Sequence, residues 1–88
     1  MPTFVKIEKG IVNKAIFDQY VPAHKDYVRE LIAQGHRAQT GYWAGKAGGM
    51  LIFDAESLEE AQKIVNQDPL VLNHCVEYEL FQWCVVVD

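Results

Sequence analysis

The order of elements read along the chain, β-α-β-β-α-β, predicts an α+β fold: a four-stranded antiparallel sheet with two helices on one face. Three observations predict it. Apolar and polar residues alternate at the start of the chain, and a long β-branched and aromatic stretch closes it. Two segments between them carry a helical period, and a glycine-containing turn separates two further strands.

The first strand is Thr3 to Glu8, with Phe4, Lys6 and Glu8 on one face and Val5 and Ile7 on the other, bounded by Gly10. No period is legible from Asn13 to Tyr20. A helical period starts at Val21-Pro22-Ala23-His24, where Pro22 suits a first helical position. Its predicted stripe is Ala23, Tyr27, Val28, Leu31 and Ile32, with Lys25, Asp26, Arg29 and Glu30 facing water. Gly35 is expected to end the helix in the left-handed conformation.

His36 to Ala44 reads as the second strand, Gly45 to Gly49 as a turn and Met50 to Phe53 as the third strand. Ser57 with Glu60 three residues later forms a capping box for a second helix, whose stripe is Leu58, Ala61, Ile64 and Val65. Asp68-Pro69 closes it, because the residue before a proline avoids helical torsions. A short turn around Leu70-Val71-Leu72 leads to a last strand from Cys75 to Val87. The whole, residues 1–88, is expected to be one domain with the ferredoxin-like or split-βαβ topology. That strand carries apolar groups on both sides, so a second subunit's sheet is the expected cover for the helix-free face.

Composition narrows the function classes. Twelve acidic residues against eight basic ones give a net charge of −4, and no Lys/Arg cluster is long enough to track a phosphate backbone. Nucleic acid is therefore not an expected partner. No apolar run approaches the ~20 residues that span a bilayer, and the first residues lack a signal-peptide layout, so the expectation is a soluble cytoplasmic protein. Cys75 and Cys84, placed on one strand about 30 Å apart, cannot bridge and read as buried thiols in a reducing compartment.

Several residues could carry chemistry, and each has a plainer reading beside the functional one. His24 is expected to point at the sheet from near the positive end of its helix, which favours the neutral imidazole that acts as a base. A core histidine satisfied by a carbonyl fits equally. Asp68 is either a second site residue or the N-cap of the following turn. On spacing alone, the start of the first helix and the end of the second lie at opposite ends of the sheet face, so spacing does not bring the two together. His36 reads as an exposed helix-end group near the last carbonyls, whereas His74, close to Asp68 in sequence, could line the same cavity. Tyr42 and Trp43 are neighbours on the second strand, core residues or a ligand platform. No histidine pair has metal-ligand spacing, the glycines do not form a phosphate loop, and no nucleophilic serine motif is present. Neither metal nor cofactor is expected.

Taken together, the first strand, Pro22-Ala23-His24, Gly35, the Gly41 strand, Ser57-Leu58-Glu59-Glu60-Ala61 and Asp68-Pro69 resemble the YciI-like (YCII-related) proteins of the dimeric α+β barrel superfamily over nearly the whole chain. The resemblance implies that His24 and Asp68 form an active-site dyad. It also implies activities of the kind found in that group: a dehydrochlorinase of a chlorinated hydroxyhydroquinone, muconolactone isomerases and cofactor-free monooxygenases. Tyr42 departs from the proline that many members carry after the strand-two glycine, and the Gly45 to Gly49 turn is short.

The function expected on this basis is a cofactor-independent lyase or isomerase acting on a small aromatic or lactone-like substrate. His24 would be the base and Asp68 its orienter, with His74, Tyr27 and Trp43 against the substrate. The alternative is a non-catalytic homodimer that binds a small ligand or a partner.

Overall fold

In a computed structural model, which describes residues 1–88, the elements are β1 (Thr3–Gly10), α1 (Lys14–Ala33), β2 (Gln39–Tyr42), β3 (Gly49–Asp54), α2 (Leu58–Asn66), α3 (Pro69–Leu72) and β4 (Val76–Trp83). The strands form one antiparallel sheet in the order β2-β3-β1-β4. β1 is central, pairing with β3 from Thr3↔Asp54 to Glu8↔Gly49 and with β4 from Thr3↔Trp83 to Gly10↔Val76. This is the predicted α+β topology.

Because side chains alternate along a strand, the register sorts the sheet into two faces. Phe4, Lys6 and Glu8 lie beside Leu51 and Phe53 of β3 and beside Val76, Tyr78 and Leu80 of β4, under the helices. The core joins Phe4, Leu51, Phe53 and Ala55 to Val28 and Leu31 of α1 and to Ala61, Ile64 and Val65 of α2. Phe4 and Phe53 are register partners whose rings stack with centroids 6.1 Å apart. The opposite face carries Val5, Ile7, Met50, Ile52, Phe81 and Trp83; no helix covers it, and Trp83 is 53% exposed.

α1 begins earlier than its period predicts. Asn13 caps it by accepting from the Ile16 N–H at 3.0 Å, so Pro22 lies inside the helix and not at its first position. The period is illegible up to Tyr20 because that half of the helix packs only on a small cluster. There Phe17 and Tyr20, half-buried, meet Leu70, Cys75 and Val76, while Ile16 is exposed. The buried stripe is also rotated from the predicted one. His24, Val28 and Leu31 face the sheet, Tyr27 flanks them, and Ala23 and Ile32 are exposed. Gly35 ends the segment at φ +89°, as expected.

β2 is shorter than the predicted His36 to Ala44, because pairing with β3 covers only Gln39 to Tyr42 and Arg37 takes φ +50°. His36 is half-buried and does not reach the last α1 carbonyls with its ring; Nδ1 bonds the Asp54 carbonyl at 2.8 Å. In α2 the Ser57 hydroxyl caps as predicted, accepting from Glu60 N, but the Glu60 carboxylate accepts from Glu56 N and not from Ser57 N, so the box is only half formed. Leu58 is 59% exposed and belongs to no core stripe. β4 ends at Trp83 and not at Val87, since its neighbour β1 begins at Thr3 and offers no ladder beyond that register. Cys84 therefore lies outside the strand and is exposed, against expectation, whereas Cys75 is buried; both are free thiols. No helix is long and apolar enough to cross a membrane.

Candidate functional site

The site forms where β1, α1, β2 and the start of α3 converge. α2 ends at Asn66, Gln67 caps it, and Asp68 takes an extended conformation (φ −62°, ψ 128°) with Pro69 opening α3. Asp68 is the N-cap that its local sequence suggests, accepting from Leu70 N at 3.0 Å through Oδ1. It is also completely buried and faces α1. His24 meets it there because the long α1 places His24 halfway along its length, opposite α3. The two predicted ends of helices are thus the middle of one helix and the start of a third.

His24 Nδ1 lies 2.9 Å from both Asp68 oxygens. A carboxylate only accepts, so Nδ1 carries the proton and donates it. Nε2 lies 3.0 Å from Thr40 Oγ1, which is itself 3.3 Å from the Met50 carbonyl oxygen. A hydroxyl in that position serves both states of the ring. It donates to the Nε2 lone pair of the neutral imidazole, and for the cation it accepts from Nε2–H and turns its own hydrogen to Met50. The helix-dipole argument for a neutral His24 does not hold, since the residue is turns away from the α1 N-terminus.

Charge at the site comes from β1. Lys6 Nζ donates to Asp68 Oδ2 at 2.8 Å and lies 3.6 Å from Glu8 Oε1, with Lys6 itself entirely buried. Burial alone would push the Asp68 carboxyl up. The hydrogen bond from His24 and the Lys6 and His24 charges outweigh it and hold the group below its ordinary 3.8. Glu8 Oε2 is buried and has no hydrogen-bond partner.

None of the other predicted residues bonds to this centre. Tyr27, one turn after His24, donates its phenol to the Ile64 carbonyl at 2.7 Å; burial and then the Asp68 charge push that phenol up. His74 is exposed at φ +55° just after α3, with no bond to His24 or Asp68. Trp43 lines a cavity of about 520 Å³, with Glu8, Gly10, Lys46 and Tyr78 among its other walls; neither His24 nor Asp68 lines it. A smaller open groove of about 280 Å³ reaches Thr40 between α1 and β2, bordered by Lys25, Val28, Arg29 and Ile32. Of the two, the groove is the one that touches the hydrogen-bond chain of His24, through Thr40. No three His, Cys, Asp or Glu side chains converge so as to hold a metal ion.

Sequence reasoning missed Lys6, Glu8 and Thr40 as site residues. A signal for the first two was present: both share the Phe4 face of β1, and charged side chains on a core face need buried partners. Thr40 had none, because only the β2–β3 register and the packing of α1 bring it to Nε2.

Residues 6–84 match the YCII-related domain family, and the chain belongs to it. It is 31% identical over 65 residues to the uncharacterised protein YjpA of Bacillus subtilis (strain 168), covering 74% of this chain and 76% of that one. Its fold is similar to that of the 5-chloro-2-hydroxyhydroquinone dehydrochlorinase TftG from Burkholderia phenoliruptrix AC1100, seen in complex with 2,5-dihydroxybenzoquinone. That likeness has a TM-score of 0.76 at 22% identity and covers 93% of each chain. Muconolactone isomerase follows, with a TM-score of 0.74 at 19% identity over 94% of this chain and 88% of that one. The de novo designed protein Ferredog-Diesel shares the fold too, with a TM-score of 0.65 at 12% identity, covering 93% and 85%. A designed chain among these relatives underlines that the likeness concerns fold, and that activity has to be argued from the site.

Proposed function

We propose that this member of the YCII-related family is a small lyase or isomerase that needs no cofactor and moves a proton on an aromatic or lactone-like substrate. One observation carries the reading: a buried histidine with Nδ1 on a carboxylate and Nε2 on a hydroxyl that can turn away. When Thr40 turns to Met50, Nε2 presents a lone pair toward the groove and takes a proton from a substrate O–H or acidic C–H. The electron pair left on the substrate then expels a leaving group, as in loss of chloride. In the isomerase version it shifts along the ring, and Nε2–H returns the proton at another carbon. Asp68 stabilises the imidazolium in between, and a base so placed contributes typically 10²–10⁴-fold in rate. Two fold relatives named for a dehydrochlorinase and an isomerase support the reaction type.

His74, Tyr27 and Trp43 are the proposed substrate contacts, Tyr27 one turn along α1 from the base and Trp43 on the neighbouring cavity. The apolar helix-free face supports a homodimer with facing sheets, and the two free thiols support a reducing compartment, the cytoplasm. Ile7→Lys and Phe81→Lys, central on that face, should then give monomers in sedimentation; variants that remain dimeric would remove it as the interface.

The test of function is turnover of hydroxylated, chlorinated quinols and of muconolactones by the parent and by His24→Ala. The expected result is a loss of at least about 10²-fold with the fold intact; full activity in the variant would sink the reading. A second reading has its own support, since the His24 side chain is only 8% exposed and both ring nitrogens are bonded. In that case the pair clamps α1 to α3 in a binding module. His24→Ala would then lower stability by about 1–3 kcal/mol, and no substrate of either class would turn over.

A further inference from the structure

His24 and Asp68 are the visible end of a longer chain of charges. Lys6 is entirely buried, bonds Asp68 Oδ2 at 2.8 Å and lies 3.6 Å from Glu8 Oε1. Glu8 is 5% exposed, and its second oxygen has no partner. Clamping α3 to α1 needs only His24, Asp68 and the cap on Leu70, so an ammonium and a second carboxylate beneath the helices go beyond what that clamp requires. We propose that the Lys6 ammonium, shared between Asp68 and Glu8, sets the proton affinity of His24, with Lys6 and Glu8 as positioning residues that act through Asp68.

The physical reason lies in what a lone buried carboxylate does to an imidazole. It stabilises the cation, and a ring held as its cation has no lone pair with which to accept a proton. An ammonium bonded to the same carboxylate, at Oδ2, offsets that field. Because His24 Nδ1 and Lys6 Nζ both bond Oδ2, at 2.9 and 2.8 Å, the two nitrogens lie within about 6 Å of each other. At an effective dielectric of about 20, that separation is worth roughly 100-fold in proton affinity. Glu8 works in the opposite direction, by drawing on the other side of the ammonium.

The charged and titratable groups that meet His24 are few. Asp68 comes from the start of α3, with Lys6 and Glu8 behind it on β1. β2 contributes the neutral Thr40 hydroxyl, and on α1 the Tyr27 phenol is engaged with Ile64. The same bonds fix geometry: Lys6 on Oδ2 and the Leu70 N–H on Oδ1 keep the carboxylate from rotating under the ring.

The use of this device rests on the reading of His24 as a base, but its test does not. The ring nitrogens of His24 are titrated by NMR in the parent, Glu8→Gln, the double variant Lys6→Met with Glu8→Gln, and Asp68→Asn. Glu8→Gln should lower the midpoint. The double variant should raise it above that of Glu8→Gln, by roughly 100-fold in proton affinity, and Lys6→Arg should keep it near the parent value. The double variant replaces a buried ion pair by neutral groups, a change that folds survive better than loss of one partner. If the double variant titrates like Glu8→Gln, Lys6 only neutralises Asp68 for the fold and the proposal is overturned. Asp68→Asn reports separately: a midpoint that does not move there defeats the dyad itself, whatever Lys6 does.

Discussion

Replacing Asp68 by Asn changes one atom of a completely buried side chain, and its consequence can be worked out from the partners. The carboxylate accepts from His24 through both oxygens, from Lys6 through Oδ2 and from Leu70 N through Oδ1. An amide keeps one accepting oxygen and brings an NH₂ group that can only donate. Whichever way the amide turns, its nitrogen confronts either the Lys6 ammonium or the Leu70 N–H, leaving one buried donor unsatisfied. Lys6 also loses the nearer of its two carboxylates, which leaves Glu8 at 3.6 Å as its counter-ion. Breaking a buried pair from one side costs about 3–5 kcal/mol, a large part of the ~5–15 kcal/mol that holds a domain together.

The sign of the pH dependence follows from the depressed Asp68 carboxyl. Its folded value lies below the ordinary 3.8, so its contribution is complete well above that value. It is lost as pH falls through the ordinary value and on through the folded one. Urea unfolding of parent and variant at matched protein concentration should show the full difference near pH 7, shrinking steadily below about pH 4. A difference under about 1 kcal/mol at neutral pH, or one of constant size into acid, would show that Asp68 is not the counter-ion of this cluster.

Other outcomes follow from the packing. Phe53→Ala removes one ring of the Phe4–Phe53 stack at zero exposure and should lower stability by about 3–5 kcal/mol in the same unfolding assay. Gly49→Ala places a Cβ 2.0 Å from the Gly41 carbonyl oxygen, so it should open the β2–β3 ladder and release Thr40. Amide exchange at Gly41 and Trp43, whose N–H groups face β3, is expected to accelerate, and protection equal to the parent would count against that ladder. Ser57→Ala removes the α2 cap and should lower stability by about 1 kcal/mol; no change in the urea midpoint would show that water replaces the hydroxyl.

Much of the fold was legible because the periods that encode it are local. Alternation in Thr3 to Glu8, the Ser57–Glu60 box and the Asp68-Pro69 stop depend on neighbours in sequence, and each element appears where they place it. The errors fall where a tertiary contact decides. The first half of α1 shows no clean stripe because it packs on a small cluster from α3 and β4, and β4 stops where β1 begins.

The sequence by itself determined the order of strands and helices, the sheet they form, and two polar residues, His24 and Asp68, that the core alone did not require. Only the tertiary structure decided that these two meet: a longer α1 moves His24 to mid-helix, and α3 folds back across it. It also decided that Lys6 and Glu8 lie beneath them and that Thr40 closes the other side of the ring. Periodicity assigns a side chain to a face, whereas hydrogen bonds of this kind join residues as far apart as Lys6 and Asp68, so their partners are set by packing and register.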